Sequence, residues 1–242
     1  MTDVSRSAAG ERIYAIGDVH GRIDLFAQLL GMVRADGAAR GAMPTRIILL
    51  GDVVDRGPSS CDLVAQLIAL TTRSERILVL KGNHEDAMIG SLDGDLAILD
   101  IWLGIGGDAT LASWGVDADL LAHRRLADIL REGRRRIGEA TLAWLRRLPL
   151  TARSGDYLFV HAGIRPGVPL KRQTPEDMMW IGADFIQSEA RHPAVIVHGH
   201  TVAEDGPEFH PRRIGVDTGA YRTGRLTAVG LEGEERWSLS TA

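Results

Sequence analysis

The stretch RIYAIGDVHGRIDLFAQLL, residues 12–30, decides the fold. It opens on a short β-favouring apolar run, RIYAI (12–16), passes through a Gly/Asp/His cluster and enters a helical pattern after Gly21. The same order recurs twice. RIILL (46–50) leads through GDVVDRG to a helical segment after Pro58, a residue suited to a first helical turn. RILVL (76–80) leads through GNHE to a helical segment after Asn83. Short apolar strands alternating with helices predict a mainly parallel, buried sheet.

Outward from this core, residues from about 95 to 150 turn helical, are rich in Leu, Ala, Trp and Arg, and end at Pro149. They read as an inserted helical cap. DYLFV (156–160) and AVIV (194–197) are two further buried-strand candidates, and the tail segments RIGVD, RLTAVG and RWSLS read as short antiparallel strands. The expectation is an α/β fold with a mixed sheet region and a helical insertion, in one domain spanning 1–242. The first ten residues are small and polar and are expected to fray.

Composition narrows the function class. With 45% apolar and 25% charged side chains, the 242-residue chain has the usage of a folded globular protein. A formal net charge of −4 argues against a general nucleic-acid or membrane-surface binder. Cys61 is the only cysteine, so neither an internal disulfide nor a thiolate-rich metal cage is available, and it reads as a small core residue. The N-terminus lacks the apolar core of a secretory signal, and no apolar run approaches the roughly 20 residues of a membrane span. A reducing cytoplasm is the expected compartment. Nothing in the sequence fixes an oligomeric state.

The chemistry sits just past the strand ends, where ligands bind in open α/β sheets. GDVHG carries Asp18 and His20; GDVVDRG carries Asp52, Asp55 and Arg56; GNHE carries Asn83, His84 and Glu85; HAG carries His161; HGHT carries His198 and His200. Carboxylate, imidazole and amide oxygen without sulfur suit a divalent ion. Asp18, His20, Asn83, His161 and His200 exceed what one ion takes, so two ions sharing a bridging carboxylate, Asp52, fit the inventory better. Two divalent charges against two aspartates leave a positive excess that a phosphate could use. Any one cluster could be a turn; several of them, each behind an apolar strand, make that reading untenable.

GDVHG, GDVVDRG, GNHE, HAG and HGHT, in that order, resemble the calcineurin-like metallophosphoesterases, and more narrowly their phosphoprotein phosphatase branch in its compact bacterial form. The resemblance runs from about residue 12 to 229. It implies a β-sandwich of mixed sheets flanked by helices. It also implies one ion on Asp18, His20 and bridging Asp52, and a second on Asp52, Asn83, His161 and His200. Manganese is the expected metal, with iron or zinc as alternatives. His84 would protonate the leaving alkoxide with Asp55 orienting its ring, Arg56 would grip phosphate oxygens, and a metal-bridging hydroxide would attack directly.

On that footing the expected activity is phosphomonoester hydrolysis of the serine/threonine protein phosphatase type, on a phosphorylated protein or small phosphoester. VDRG and GNHE point that way, because diadenosine tetraphosphatase relatives typically carry Asn at Asp55 and Asp at Glu85. The alternatives are hydrolysis of a dinucleoside polyphosphate, another nucleotide or a phosphodiester, or a degenerate metal-binding protein without turnover. One departure stands out: related bacterial enzymes usually read Trp-Ile-Arg where this chain has Trp180, Ile181 and Gly182. Arg165 is a candidate to supply the missing phosphate grip, and Tyr221, in a closing loop similar to the family's, could border the phosphate.

Other residues read as structural. His123, His192 and His210 lie outside the motifs, and His198 fits a supporting place beside the ligands. Trp102, Trp114 and Trp144 read as the small core of the insert. The arginines between Arg124 and Arg136 read as a solvated helical face, or alternatively as a surface that recruits acidic substrates.

Overall fold

In the computed structural model, residues 5–241 are described. Ten strands form two five-stranded mixed sheets. The strands are β1 (Arg12–Ile16), β2 (Thr45–Leu49), β3 (Ile77–Val79), β4 (Thr151–Ser154), β5 (Tyr157–Val160), β6 (Val195–His198), β7 (Glu208–Phe209), β8 (Arg213–Gly215), β9 (Thr227–Glu232) and β10 (Glu235–Ser240). One sheet has the order β10-β9-β1-β2-β3 and the other β4-β5-β6-β8-β7. Each has a parallel centre, β1-β2-β3 and β5-β6-β8, with antiparallel neighbours outside it.

The helices are α1 (Ile23–Ala39), α2 (Ser60–Arg73), α3 (Asn83–Leu92), α4 (Leu96–Trp102), α5 (Asp108–Ser113), α6 (Ala118–Ala122), α7 (Leu126–Arg146), α8 (Pro175–Trp180), α9 (Ala183–Ile186) and α10 (Ala220–Thr223). A five-residue π turn, Leu103–Gly107, joins α4 to α5.

Strand alternation builds the layers. Tyr14 and Ile16 of β1 face the helical core with Phe26, Leu29 and Leu63, while Ile13 and Ala15 face the space between the sheets with Phe159, Val197 and Ile214. Both faces of the strand are apolar because both are covered. A third cluster, including Ile164, Phe185 and Ile196, packs α9 against the outer face of the second sheet. The order is helices, sheet, sheet, helices.

The five strand candidates of the sequence each lie on an observed strand, within one residue at most ends. Three details differ. The RIGVD segment forms the expected antiparallel hairpin with β7, but its other edge lies parallel to β6. The helix of the second unit starts at Ser60, two residues past Pro58. The first ten residues are tied down where they are described: the Ser7 amide donates to the Gly233 carbonyl at 3.0 Å and the Arg6 amide to Asp156 at 2.8 Å. Residues 1–4 of that segment lie outside the described residues.

The region from 95 to 150 is helical as expected, but it does more than cover. Leu96–Ser113 is, by length and composition, enough to cross a membrane (18 residues, mean hydropathy 1.3), where the sequence reading found no such run. The fold bends it at Gly106 (φ 115°) and fastens Trp102 and Thr110 to Asp55. Arginines of α7 are spent locally, Arg135 and Arg136 on Glu132 and Arg131 on Asp128, which also pairs with Arg125 just before the helix.

Candidate metal centre

The loops after β1, β2, β3, β5 and β6 meet at one rim where the parallel centres of both sheets end. Five of the gathered residues hold left-handed backbone without being glycine: His20 (φ 46°), Asp52 (48°), Asp55 (74°), Arg56 (66°) and His200 (62°). Such conformations each cost energy, and they persist only where the surroundings over-determine them. Two glycines allow the carboxylates in. A Cβ on Gly82 would stand 2.2 Å from Asp52 Oδ1, and one on Gly199 would stand 2.1 Å from Asp18 Oδ1.

Glu85, at the start of α3, fixes the central loop. Its two oxygens accept from the backbone N–H of Asp52 (2.9 Å), Val53 (2.9 Å), Val54 (3.3 Å) and Gly82 (2.8 Å). Burial and the charge of Asp52 push its carboxyl up to about 7, yet four amides aimed at two oxygens suit only a carboxylate. This role was not legible in the motif.

Donor atoms converge in two groups, each with all members within 4.8 Å of one another: His20, Asp52 and His84, and Asp52, His161 and His200. Asp52 belongs to both. Burial opposes its charge, while the surrounding imidazoles, His161 foremost and then His84, lower its pKa; of these, His84 is the ring whose own pKa is raised and so the one that can act on it as a cation. Burial pushes His20 down to about 3 and His200 to about 4, so their rings are neutral and carry lone pairs. The His161 pKa is lowered for the same reason.

Tautomers follow from the outer contacts. His20 Nδ1 lies 2.8 Å from the Val54 carbonyl and His161 Nδ1 lies 2.9 Å from the Leu50 carbonyl, so both carry the proton on Nδ1 and leave Nε2 bare. Bare His161 Nε2 then stands 2.8 Å from the amide oxygen of Asn83, which is also 3.0 Å from His200 Nδ1. Lone pairs so close repel unless a cation sits among them. The residues therefore fit a divalent ion by donor chemistry.

Asp18 is buried at the same rim, accepting the His200 N–H at 3.0 Å. Its pKa is raised well above the carboxylate norm by burial, then by the charges of Asp217 and Asp52. Asp217, pushed up to about 6 by burial, is a member of the site that motif reading missed. Its carboxylate accepts the Gly219 N–H at 2.8 Å inside the GVDTG loop, and the available signal is an aspartate two residues past the end of β8.

Beside the ligand cluster, His84 Nδ1 is 2.6 Å from Asp55 Oδ2. Trp102 Nε1 donates to the same oxygen at 2.8 Å and Thr110 Oγ1 to the other at 2.6 Å. Trp102, read from sequence as insert core, is thus also an Asp55 partner. Burial opposes charge on His84, but Asp52 and Asp55 outweigh it and raise its pKa. Burial likewise raises the Asp55 pKa, against the bonds from His84, Thr110 and Trp102.

Arg56 projects over this floor. Its Nη1 is 2.9 Å from His20 Nε2 and its Nη2 is 3.0 Å from His84 Nε2. Its backbone N–H donates to the Gly106 carbonyl at 3.1 Å. Its guanidinium lies 4.5 Å from the Tyr221 ring centroid, and the Tyr221 and His20 rings stand edge to face at 5.3 Å, so Tyr221 does border this pocket. Arg165 is committed elsewhere, ion-paired to Asp177 and, at 2.6 Å, to Asp184. An added Cβ at Gly182 would meet nothing within 4 Å. His198 is buried behind the rim against Phe185, with Nδ1 3.0 Å from the Gly199 carbonyl.

Comparison with known proteins agrees with this geometry. A family model described as calcineurin-like phosphoesterase matches residues 11–226. A symmetrical bis(5′-nucleosyl)-tetraphosphatase of Methylococcus capsulatus is 32% identical over 154 residues, 64% of this chain and 44% of that protein. An asymmetrical bis(5′-nucleosyl)-tetraphosphatase of Anoxybacillus flavithermus is 26% identical over 88% of each chain. The chain thus spans less than half the length of the symmetrical enzymes it matches. Among solved structures, one titled a putative diadenosine tetraphosphatase aligns over 99% of this chain and 97% of its own, with TM-score 0.62 and 22% identity. A Saccharomyces cerevisiae protein serine/threonine phosphatase aligns over 96% and 79%, with TM-score 0.57 and 16% identity. These two likenesses establish the fold.

Proposed function

The chain belongs to the calcineurin-like phosphoesterase family, and from that premise we propose that it is a metal-dependent hydrolase of a dinucleoside polyphosphate of the bis(5′-nucleosyl) tetraphosphate class. The observation that carries metal dependence is the triad of close donors at Asn83, His161 and His200 next to an aspartate shared with His20. Divalent cations bound there would make a bound water acidic and offset the charge of a polyphosphate. Asp18, His20, Asp52, Asn83, His161 and His200 would hold them, and Arg56 would orient phosphate oxygens through its planar fork.

The substrate class departs from the protein-phosphatase expectation. That expectation rested on Asp55 and Glu85, and both are fully buried with contacts inside the protein. Neither can meet a leaving group directly, so Glu85 does not select between a protein and a nucleotide, and Asp55 can do so only through His84. The named relatives, symmetrical and asymmetrical, support the nucleotide reading.

A second reading, phosphomonoester hydrolysis, is favoured by the His84–Asp55 pair. A phosphate leaving group needs no proton, whereas an alkoxide does, and Asp55 equips His84 to supply one. Arg56 Nη2 can donate to His84 Nε2 only while that ring is neutral, so a proton at Nε2 requires the guanidinium to swing away, onto a phosphate.

The test is a comparison of kcat/KM with added manganese on bis(5′-adenosyl) tetraphosphate, a phosphoserine peptide and p-nitrophenyl phosphate. Preference for the dinucleotide by at least about tenfold is expected. Preference for the phosphopeptide would move the assignment to the second reading, and no turnover on any of them would end both.

A further inference from the structure

A cavity of about 430 Å³ opens at the end of the first sheet opposite the metal centre. It is lined by residues at the beginnings of β1, β2 and β3, whereas the metal ligands follow the ends of those strands. Arg12 lies in its wall, 1% exposed. The Arg12 side chain is held by Glu232, which accepts from Nε at 2.6 Å, and by the Gly37 and Gly41 carbonyls, which accept from Nη1 at 2.9 and 3.3 Å. Its Nη2 is buried and has no partner among the described residues. Unsatisfied buried donors of this kind are rare, and a bound water or ion is among the explanations for them.

Two more arginines, Arg34 of α1 and Arg76 before β3, line the same cavity and are exposed. Among the described residues, neither side chain makes an ion pair or hydrogen bond, and no carboxylate lines the cavity. Glu232 balances Arg12, so two positive charges remain unmatched. The rest of the wall is mostly apolar, from Val33, Met43, Ile47 and Ile77, with Thr45 and Ser74 adding two hydroxyl residues.

We propose that this cavity is a binding site for a small phosphate monoester with an apolar body, of mononucleotide size. Two free guanidiniums match the charge of a phosphate, about −1.5 to −2 near neutral pH, better than that of a monocarboxylate. Guanidinium forks pair with phosphate oxygens, aliphatic walls accept a planar or apolar body, and the volume lies in the range of small-molecule sites. The site is independent of the metal centre and of the reaction assigned to it.

The test is calorimetric titration of the whole protein with adenosine 5′-monophosphate in the presence of a chelator, with adenosine and inorganic phosphate as companion probes. The variants are Arg34→Ala/Arg76→Ala, Arg76→Glu alone, and Asp52→Asn. Circular dichroism checks that each is folded. Saturable binding of the monophosphate is expected, at least about tenfold weaker in both arginine variants and unchanged in Asp52→Asn. Adenosine should bind far more weakly than the monophosphate. Absence of binding to the wild type, equal binding of adenosine, or a loss confined to Asp52→Asn would each overturn the site. Binding of inorganic phosphate as tight as that of the monophosphate would overturn the apolar-body part of the assignment.

Discussion

His84 and Asp55 are joined by a 2.6 Å contact between Nδ1 and Oδ2, and both side chains are out of contact with bulk water. The contact fixes which ring nitrogen faces the pocket. It also makes the proton on the outward nitrogen depend on a residue that never touches substrate.

Asp55→Asn should therefore act selectively. The rate on a phosphoserine peptide is expected to fall by about 10²–10⁴-fold, the range of general acid catalysis. The rate on p-nitrophenyl phosphate, whose leaving group departs as a stable anion, should fall much less. Parallel kcat measurements on the two substrates decide it, and equal losses would show that the pair only holds the loop in shape.

Trp102→Phe removes one donor from Asp55 while keeping an aromatic ring, although a smaller one, in the same buried place. The Asp55 carboxylate then loses a stabilising hydrogen bond, its pKa rises further, and as pH falls it is protonated sooner, at a higher pH. The acid limb of the kcat/KM profile should move upward in pH, with a stability cost of about 1–3 kcal/mol. An unshifted limb together with a lowered Tm would assign Trp102 to packing alone.

Removal of metal should be visible without any assay of turnover. A ligand that binds only the folded chain at a hundredfold excess over its Kd stabilises it by about 2.7 kcal/mol. Added manganese is expected to raise Tm and a chelator to reverse it. In Asp52→Asn most of that response should vanish, because both donor groups lose their common member. A variant with the full manganese response would remove Asp52 from the centre.

Glu85→Gln tests the loop clamp. A glutamine offers one acceptor oxygen where four backbone amides now share two. A loss of at least about 1.5–3 kcal/mol is expected, the size of one hydrogen bond to a charged group. Denaturant unfolding measures it, and a near-neutral result would mean that the loop is held by its neighbours instead.

Much of this was readable before the fold was known. Strand positions followed from apolar runs of strand length, and the rim residues from the rule that function gathers past strand ends. The neighbours of the tail strands were not readable: RIGVD is antiparallel to β7 as its pattern suggests, but nothing local shows that its other edge lies parallel to β6. The clamp made by Glu85 and the membership of Asp217 are not legible, because a motif position does not show that a carboxylate works on backbone amides or on another carboxylate from a distant loop. The role of Trp102 was hidden likewise. A buried tryptophan in an apolar helix reads as packing, and its N–H finds Asp55 only because the π turn after it brings the insert against the β2 loop. The position of Arg165 in the sequence does not reveal that Asp177 and Asp184 pair with it.

The division of the rim between the two sheets has a consequence for how the molecule comes apart. His20, Asp52 and His84 all hang from loops of a single sheet, whereas His161 and His200 hang from the other. A slip of one layer over its neighbour would leave the first trio intact and pull the second away from Asp52. On the proposed reading the two ions would then depart in sequence under heat or denaturant, the one on the seam leaving early, and the halfway species would keep a single ion and half a catalyst.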